Sequence, residues 1–181
     1  MTPRGPQLET ERLVLRRWRE LDLEPFAAMN ADAEVMEFFP APLTRVQSDA
    51  LAARADGGFE TRGFGLWALE LRATGEFIGF TGLAPLPEGV GPTGGVEVGW
   101  RLARPFWGAG YATEAARAAL DSAFGTLGLA EVSSITAVLN VRSQAVMRRI
   151  GMREIESFEH PRVPEASRLR PHVRFVIDRP V

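Results

Sequence analysis

The sequence predicts an α/β (α+β) domain built on a mixed sheet, on three observations. Strand-length runs with alternating apolar residues recur between turn residues along the chain. The tripeptide Thr74-Gly75-Glu76 separates two of these runs closely enough for a hairpin. The strand-like run 96–102 passes through Gly108 and Gly110 into a long helical pattern at 111–124. A chain of 181 residues suits one domain with a sizeable core: residues 1–7 read as a loosely held leader and 8–181 as the folded unit.

Taken in order, Leu13 and Leu15 alternate with arginines and suggest a half-buried first strand. Asp22 is placed to cap a helix carrying Phe26, Ala27 and Met29. Residues 35–39 read as a short helical turn stopped by Pro40 and Pro42. Thr44 is a candidate cap for a helix through Arg54 that ends at Gly57-Gly58. Residues 64–71 and 77–83 form the predicted hairpin, and 85–95 is a loop rich in proline and glycine. Beyond the glycine turn and its helix, 132–139 is a strand and 143–150 a short helix ended by Gly151. Residues 153–158 and 172–177 are the last strands.

Composition narrows the function. A net charge of −2 gives no general attraction to nucleic acid or to anionic membrane. With no cysteine, the chain has no disulfide, no thiolate nucleophile and no Cys-ligated zinc; with two histidines, His160 and His172, a His-rich metal site is not expected. All 21 basic residues are arginine, so the chain carries no side-chain amine. No apolar run reaches the roughly 20 residues of a membrane span, and the N-terminus lacks a signal-peptide pattern, so the cytoplasm is the expected location.

The glycine turn has a chemical reading. A helix N-terminus presents unpaired N–H groups and the positive end of the helix dipole, and glycines let an anion approach them. The segment is not a P-loop, because no Gly-Lys-Ser/Thr follows. Nor is it a dinucleotide fingerprint, because Thr113 stands where the third glycine belongs. A diphosphate held by backbone groups fits best.

Three motifs carry a resemblance. The first is 96–102, Val-Glu-Val-Gly-Trp-Arg-Leu, followed by Trp107-Gly108-Ala109-Gly110-Tyr111-Ala112-Thr113-Glu114-Ala115. The second is Asn140-Val141-Arg142-Ser143 with Met147 to Met152; the third is the opening run 8–16, Leu-Glu-Thr-Glu-Arg-Leu-Val-Leu-Arg. In that order and spacing they resemble the GNAT acetyltransferases, and within them the ribosomal-protein N-terminal (RimJ/RimL-like) branch. The resemblance implies the GNAT fold, in which two central parallel strands splay apart, and acetyl-CoA as co-substrate. It implies backbone pairing of Trp100 and Leu102 with the pantetheine arm. It implies N–H groups of Trp107, Gly108, Ala109, Gly110, Tyr111 and Ala112 facing the pyrophosphate, with Asn140 hydrogen-bonding the pantetheine. It also makes a homodimer an option.

Transfer to an amine needs a base, because only the neutral amine attacks. Glu97 is the candidate, on the strand implied to splay; the ordinary alternative is a carboxylate ion-paired with Arg101 on the same strand face. His160 competes, because an imidazole titrates near neutral pH. Ser143 is either a helix cap or, as the resemblance implies, an acid near the thioester sulfur and part of the cofactor site. Many GNAT enzymes carry a tyrosine acid where this chain has Met147, so proton return falls to Ser143, to water or to no group. Phe38, Phe39 and Trp67 are candidates for lining the acceptor pocket, and Asp32, Glu34 and Glu37 for attracting a cationic amine. The expected activity is direct acetyl transfer in a ternary complex, with a protein N-terminal α-amine as acceptor. The alternatives are a small-molecule amine acetyltransferase, such as an antibiotic or polyamine enzyme, and a non-catalytic acetyl-CoA-binding module.

Overall fold

The computed structural model describes residues 6–180; the first five residues of the expected leader, and residue 181, lie outside them. Eight strands form one sheet. They are β1 (Leu8–Glu9), β2 (Leu13–Arg16), β3 (Leu66–Leu71), β4 (Phe77–Pro85), β5 (Val96–Leu102), β6 (Glu131–Ala137), β7 (Arg153–Glu159) and β8 (Pro171–Asp178). Their order is β1-β2-β3-β4-β5-β6-β8-β7. Every neighbouring pair is antiparallel except β5 and β6, whose parallel ladder is confined to the Glu97–Ser133 register. The sheet is therefore two antiparallel wings joined at a short parallel seam.

The helices are α1 (Leu23–Ala31), α2 (Arg45–Arg62), α3 (Tyr111–Asp121) and α4 (Val141–Arg149). Strand alternation sends side chains to two faces. On one face Val98 and Leu102 of β5 pack with Ala115, Ala116 and Ala119 of α3, and Met147 of α4 joins the same core. On the other, Phe80 of β4 meets Phe26 and Met29 of α1 and Ala52 of α2. Small residues on α3 bring that helix close to the sheet, which fixes where its N-terminus points.

Three expected details change. The helix does not end at Gly57-Gly58 but runs on to Arg62, with Gly63 (φ 78°) as its left-handed cap. A Cβ on Gly58 would come within 2.7 Å of the Phe64 carbonyl, so this glycine serves the close passage of chain past helix rather than a break. The carboxylate of Asp22 does not cap α1; it accepts both terminal nitrogens of Arg16 and the N–H of Arg19. Residues 33–38 form turns rather than a helix, and the Asp32 carboxylate accepts the N–H groups of Glu34 and Val35. The leader is tethered at Pro6, whose carbonyl accepts the indole N–H of Trp67.

Arg16 and Asp22 expose only 5% and 3% of their side chains, and Glu70 accepts from Arg16 as well. Burial works against the Arg16 charge, but these two carboxylates overcome it and hold its pKa above the ordinary value. Removing a partner from such a buried pair is expensive, whereas exposed pairs contribute little. Asp22→Ala is expected to lose about 3 kcal/mol or more of unfolding free energy in urea titrations. Asp178→Ala, which removes the exposed partner of Arg153, is expected to lose less than about 1 kcal/mol. Equal effects would contradict this assignment.

Candidate acetyl-CoA and amine site

The seam between β5 and β6 creates the first part of the site. Ala103 donates to Ile78 on β4, and the Gly99 carbonyl accepts from Thr81 on β4. The Val98 carbonyl accepts instead from Ser134 of β6, 2.9 Å away. By strand alternation, the backbone groups of Val98, Trp100 and Leu102 point toward β6. The ladder does not reach Trp100, so the edge at Trp100 and Leu102 faces the opening where the wings part. The Leu102 carbonyl is taken by the indole N–H of Trp107 at 2.8 Å, which leaves the Leu102 N–H and both backbone groups of Trp100 as the candidate pairing edge.

The second part is the glycine turn. Gly108 (φ 78°) and Gly110 (φ 84°) both adopt the left-handed conformation, and Gly110 is the N-cap of α3. A Cβ on Gly108 would meet no atom within 4 Å, and one on Gly110 only the Arg12 guanidinium at 3.5 Å. Open space therefore lies above a helix N-terminus, which is what a pyrophosphate requires. The first intrahelical bond in α3 is from Glu114 N–H to the Gly110 carbonyl, so the N–H groups of Tyr111 and Ala112 have no acceptor within the helix. One expectation is corrected: the Trp107 N–H donates to Arg104, so the candidate donors run from Gly108 to Ala112.

Arg12 was not foreseen at this turn. Its guanidinium donates to Glu114 at 2.7 Å and to the Ala109 carbonyl at 2.8 Å, and lies 4.5 Å from the Tyr111 ring centre. Glu114 also accepts from the Thr10 hydroxyl and the Arg12 N–H. Burial acts to raise the Glu114 pKa, but Thr10 and Arg12 outweigh it, and the carboxyl is held below the ordinary value. Glu114 is thus more than a favourable charge at the dipole: it clamps the 10–12 turn to the glycine turn, and it leaves a cation beside Gly110. The opening motif held Thr10 and Arg12, but their partner lies about 100 residues away, and no local pattern shows it.

The candidate amine side is on β5. Glu97 makes no hydrogen bond or ion pair among the described residues, and the alternative of a pair with Arg101 is not realised. Burial pushes its carboxyl up to about 8, and the cation of Arg162 in the β7–β8 loop only partly offsets this. Asn140 caps α4 through Oδ1, which accepts the Ser143 N–H at 3.2 Å. Ser143 is therefore in the first turn rather than the cap, with its hydroxyl not engaged among the described residues. Met147 is fully buried in the core and supplies no proton.

His160 is less well placed than expected. Its Nδ1 accepts the Arg162 N–H, and its ring lies 4.6 Å from that of His172, tilted by 45°. Burial, then His172 and Arg162, hold its pKa below the usual imidazole value. No hydrogen bond links it to Glu97 or Ser143. The acidic residues after α1 are also occupied: Glu34 pairs with Arg104 and Glu37 with Arg142, and these two arginines lie on the Trp107 ring at 4.8 and 4.5 Å. Phe38 packs on Ala137, Val163 and Leu169, whereas Trp67 is a core residue at 1% exposure and lines no pocket. Among the described residues no group of three or more potential metal ligands occurs, and no helix is long and apolar enough to cross a membrane.

The Glu97 shift has a signed consequence for stability. Its folded pKa of about 8 lies above the ordinary 4.5, so the native state keeps a proton that the unfolded chain releases between these values. Stability from this group is complete below the ordinary value and is lost as pH rises through about 8. Glu97→Gln is expected to melt increasingly above wild type as the pH of the thermal scan is raised from 5 to 9. A difference independent of pH would show that the carboxyl is solvated.

This arrangement has counterparts among known proteins. The acetyltransferase (GNAT) domain family matches residues 12–153. The FsC-acetyl coenzyme A-N(2)-transacetylase of Aspergillus fumigatus is 36% identical over 162 residues, covering 84% of this chain and 67% of that protein. A GNAT-family acetyltransferase structure from Bacillus anthracis superposes with a TM-score of 0.81 at 22% identity, over 96% of this chain and 99% of that one. The RimL ribosomal L7/L12 α-N-protein acetyltransferase, solved with coenzyme A, superposes at 0.76 with 13% identity, over 96% and 98%. The splayed seam, the glycine turn and the extent of these matches together place the chain in the GNAT acetyltransferase family.

Proposed function

We propose that this protein is an acetyl-CoA-dependent N-acetyltransferase in which the amine attacks the thioester directly, with Glu97 as general base. The observation that carries the base assignment is a half-buried carboxyl with no ion-pair partner among the described residues, on the strand that borders the seam. Acetyl-CoA supplies an activated acetyl thioester. Gly108, Ala109, Gly110, Tyr111 and Ala112 would hold its pyrophosphate through backbone N–H groups, with Arg12 beside them. Trp100 and Leu102 would align the pantetheine amides as a neighbouring strand does, and the amide of Asn140 would reach the arm from α4. This holds the thioester carbon beside the amine, and positioning of this kind supplies a large part of the rate.

Glu97 takes the ammonium proton directly or through water. A base with a pKa of about 8 is well matched to an amine near neutral pH, and an arriving ammonium ion further favours its charged form. The Ser143 hydroxyl is the candidate to return a proton to the departing sulfur. His160, tied into its own turn, is the weaker base. The RimJ/RimL resemblance implies a protein N-terminal α-amine as acceptor. A small-molecule amine has the same chemistry and is favoured by the unpaired cation Arg101 on the same strand face as Glu97.

CoA release measured against pH tests the base. Wild-type kcat/KM is expected to rise with an inflection near 8, and Glu97→Gln to lose that inflection and about a hundredfold in kcat. An unchanged inflection in the variant would reassign the base.

A further inference from the structure

Most of the charges on this protein are paired, and the pairing of its covered arginines isolates one of them. Arg16 has Asp22 and Glu70, Arg17 has Asp56 and Glu60, and Arg174 has Glu156 and Glu131. Arg101 has no carboxylate partner among the described residues. Among the described residues its guanidinium donates one hydrogen bond, to the neutral Asn30 Oδ1 at 2.6 Å, and Asn30 is itself fully buried and donates to Ser48. The Arg101 Nε is shut off from solvent with no acceptor. The guanidinium lies 4.2 Å from the Phe39 ring centre and 5.3 Å from that of Phe80. Burial lowers its pKa to about 10, so it remains a cation at neutral pH. An unpaired cation in such a place is costly to the fold, and the aromatic faces compensate it only in part.

Its position gives the cost a use. Glu97, Gly99 and Arg101 alternate onto one face of β5, the face on which α1 and Phe80 pack. Gly99, between the other two, faces open space: a Cβ there would meet nothing within 4 Å. One strand face thus presents an unpaired carboxyl, a bare stretch of backbone and an unpaired guanidinium, spanning roughly 13 Å between the outer Cα atoms. The carboxyl is the proposed base for the amine. The cation at the other end has no counterpart in acetyl transfer itself. Arg104 and Arg142, the nearby cations at the turn, are already paired with Glu34 and Glu37. With Nη1 on Asn30 and Nε covered, the guanidinium has only its other terminal nitrogen left for a ligand, which suits a monoanion better than a phosphate dianion that recruits several donors.

We infer that the acceptor carries a carboxylate as well as an amine, with the amine at Glu97 and the carboxylate completing Arg101. This deepens the proposed function and rests on it. It predicts discrimination against acid-free amines, because an uncharged group would leave the half-buried cation uncompensated.

The test uses CoA release at saturating acetyl-CoA with amino acids and dipeptides, each as the free acid and as its C-terminal amide, and with spermidine. The expected result is a preference for free acid over amide of at least about tenfold in kcat/KM. Arg101→Met is expected to erase that preference while leaving the calorimetric Kd for acetyl-CoA within about twofold. Its Tm separates this from a purely structural role: an arginine kept for its ligand leaves the variant at least as stable as wild type, whereas one that holds the fold costs it several degrees. Equal use of amides, a preference for spermidine, or discrimination that survives in Arg101→Met would overturn the inference while leaving the acetyltransferase reading intact. Failure of wild type to bind acetyl-CoA would overturn both.

Discussion

How little joins β5 to β6 governs the rest of this structure. Two antiparallel wings are each held by long ladders, but they meet at the Glu97–Ser133 register and at one hydroxyl, Ser134, that donates to the Val98 carbonyl. Beyond that point the edge of β5 turns its backbone groups into an opening. Such an edge is costly in a protein interior unless something pairs with it. An extended arm with amide groups at peptide-like spacing is a natural occupant. The short parallel ladder thus leaves an unpaired edge on β5 that the proposed pantetheine arm would fill.

The remaining elements serve this opening. The alanines of α3 let the helix lie close against β4 and β5, so its N-terminus emerges beside the mouth of the seam. The Thr10–Arg12–Glu114 clamp then fixes the turn from outside, using the strand edge farthest from it in sequence. On the opposite face, the segment after α1 is stapled to the same turn through Glu34, Glu37 and the two arginines that flank Trp107. The glycine turn is thus gripped by both halves of the chain, and the proposed amine side is built from the strand that also borders the seam.

Much of this was legible in the sequence because it depends on local pattern. The glycine turn, the strand before it and the helix after it read directly from residues 96–124, and their positions agree with the structure. What was not legible depends on partners distant in sequence. Gly57-Gly58 looked like a helix stop because the chain that passes against Gly58 begins several residues later. Asp22 looked like a cap because its true partner, Arg16, belongs to the preceding strand. Glu34 and Glu37 looked like free charges because Arg104 and Arg142 lie about 70 and 100 residues on. Arg101 was visible only as a partner for Glu97; that neither has an ion-pair partner among the described residues emerges only once α1 and the β7–β8 loop are in place.

The central claim is that the seam and the glycine turn form one site for acetyl-CoA. Calorimetric titration of acetyl-CoA into wild type and into Gly110→Glu tests it most directly. The substitution puts a side chain and a negative charge at a left-handed position that opens onto the proposed pyrophosphate cradle. The account predicts saturable binding with wild type and its loss in the variant, with folding retained by circular dichroism. Equal binding by a folded Gly110→Glu protein would place the cofactor elsewhere and contradict the account.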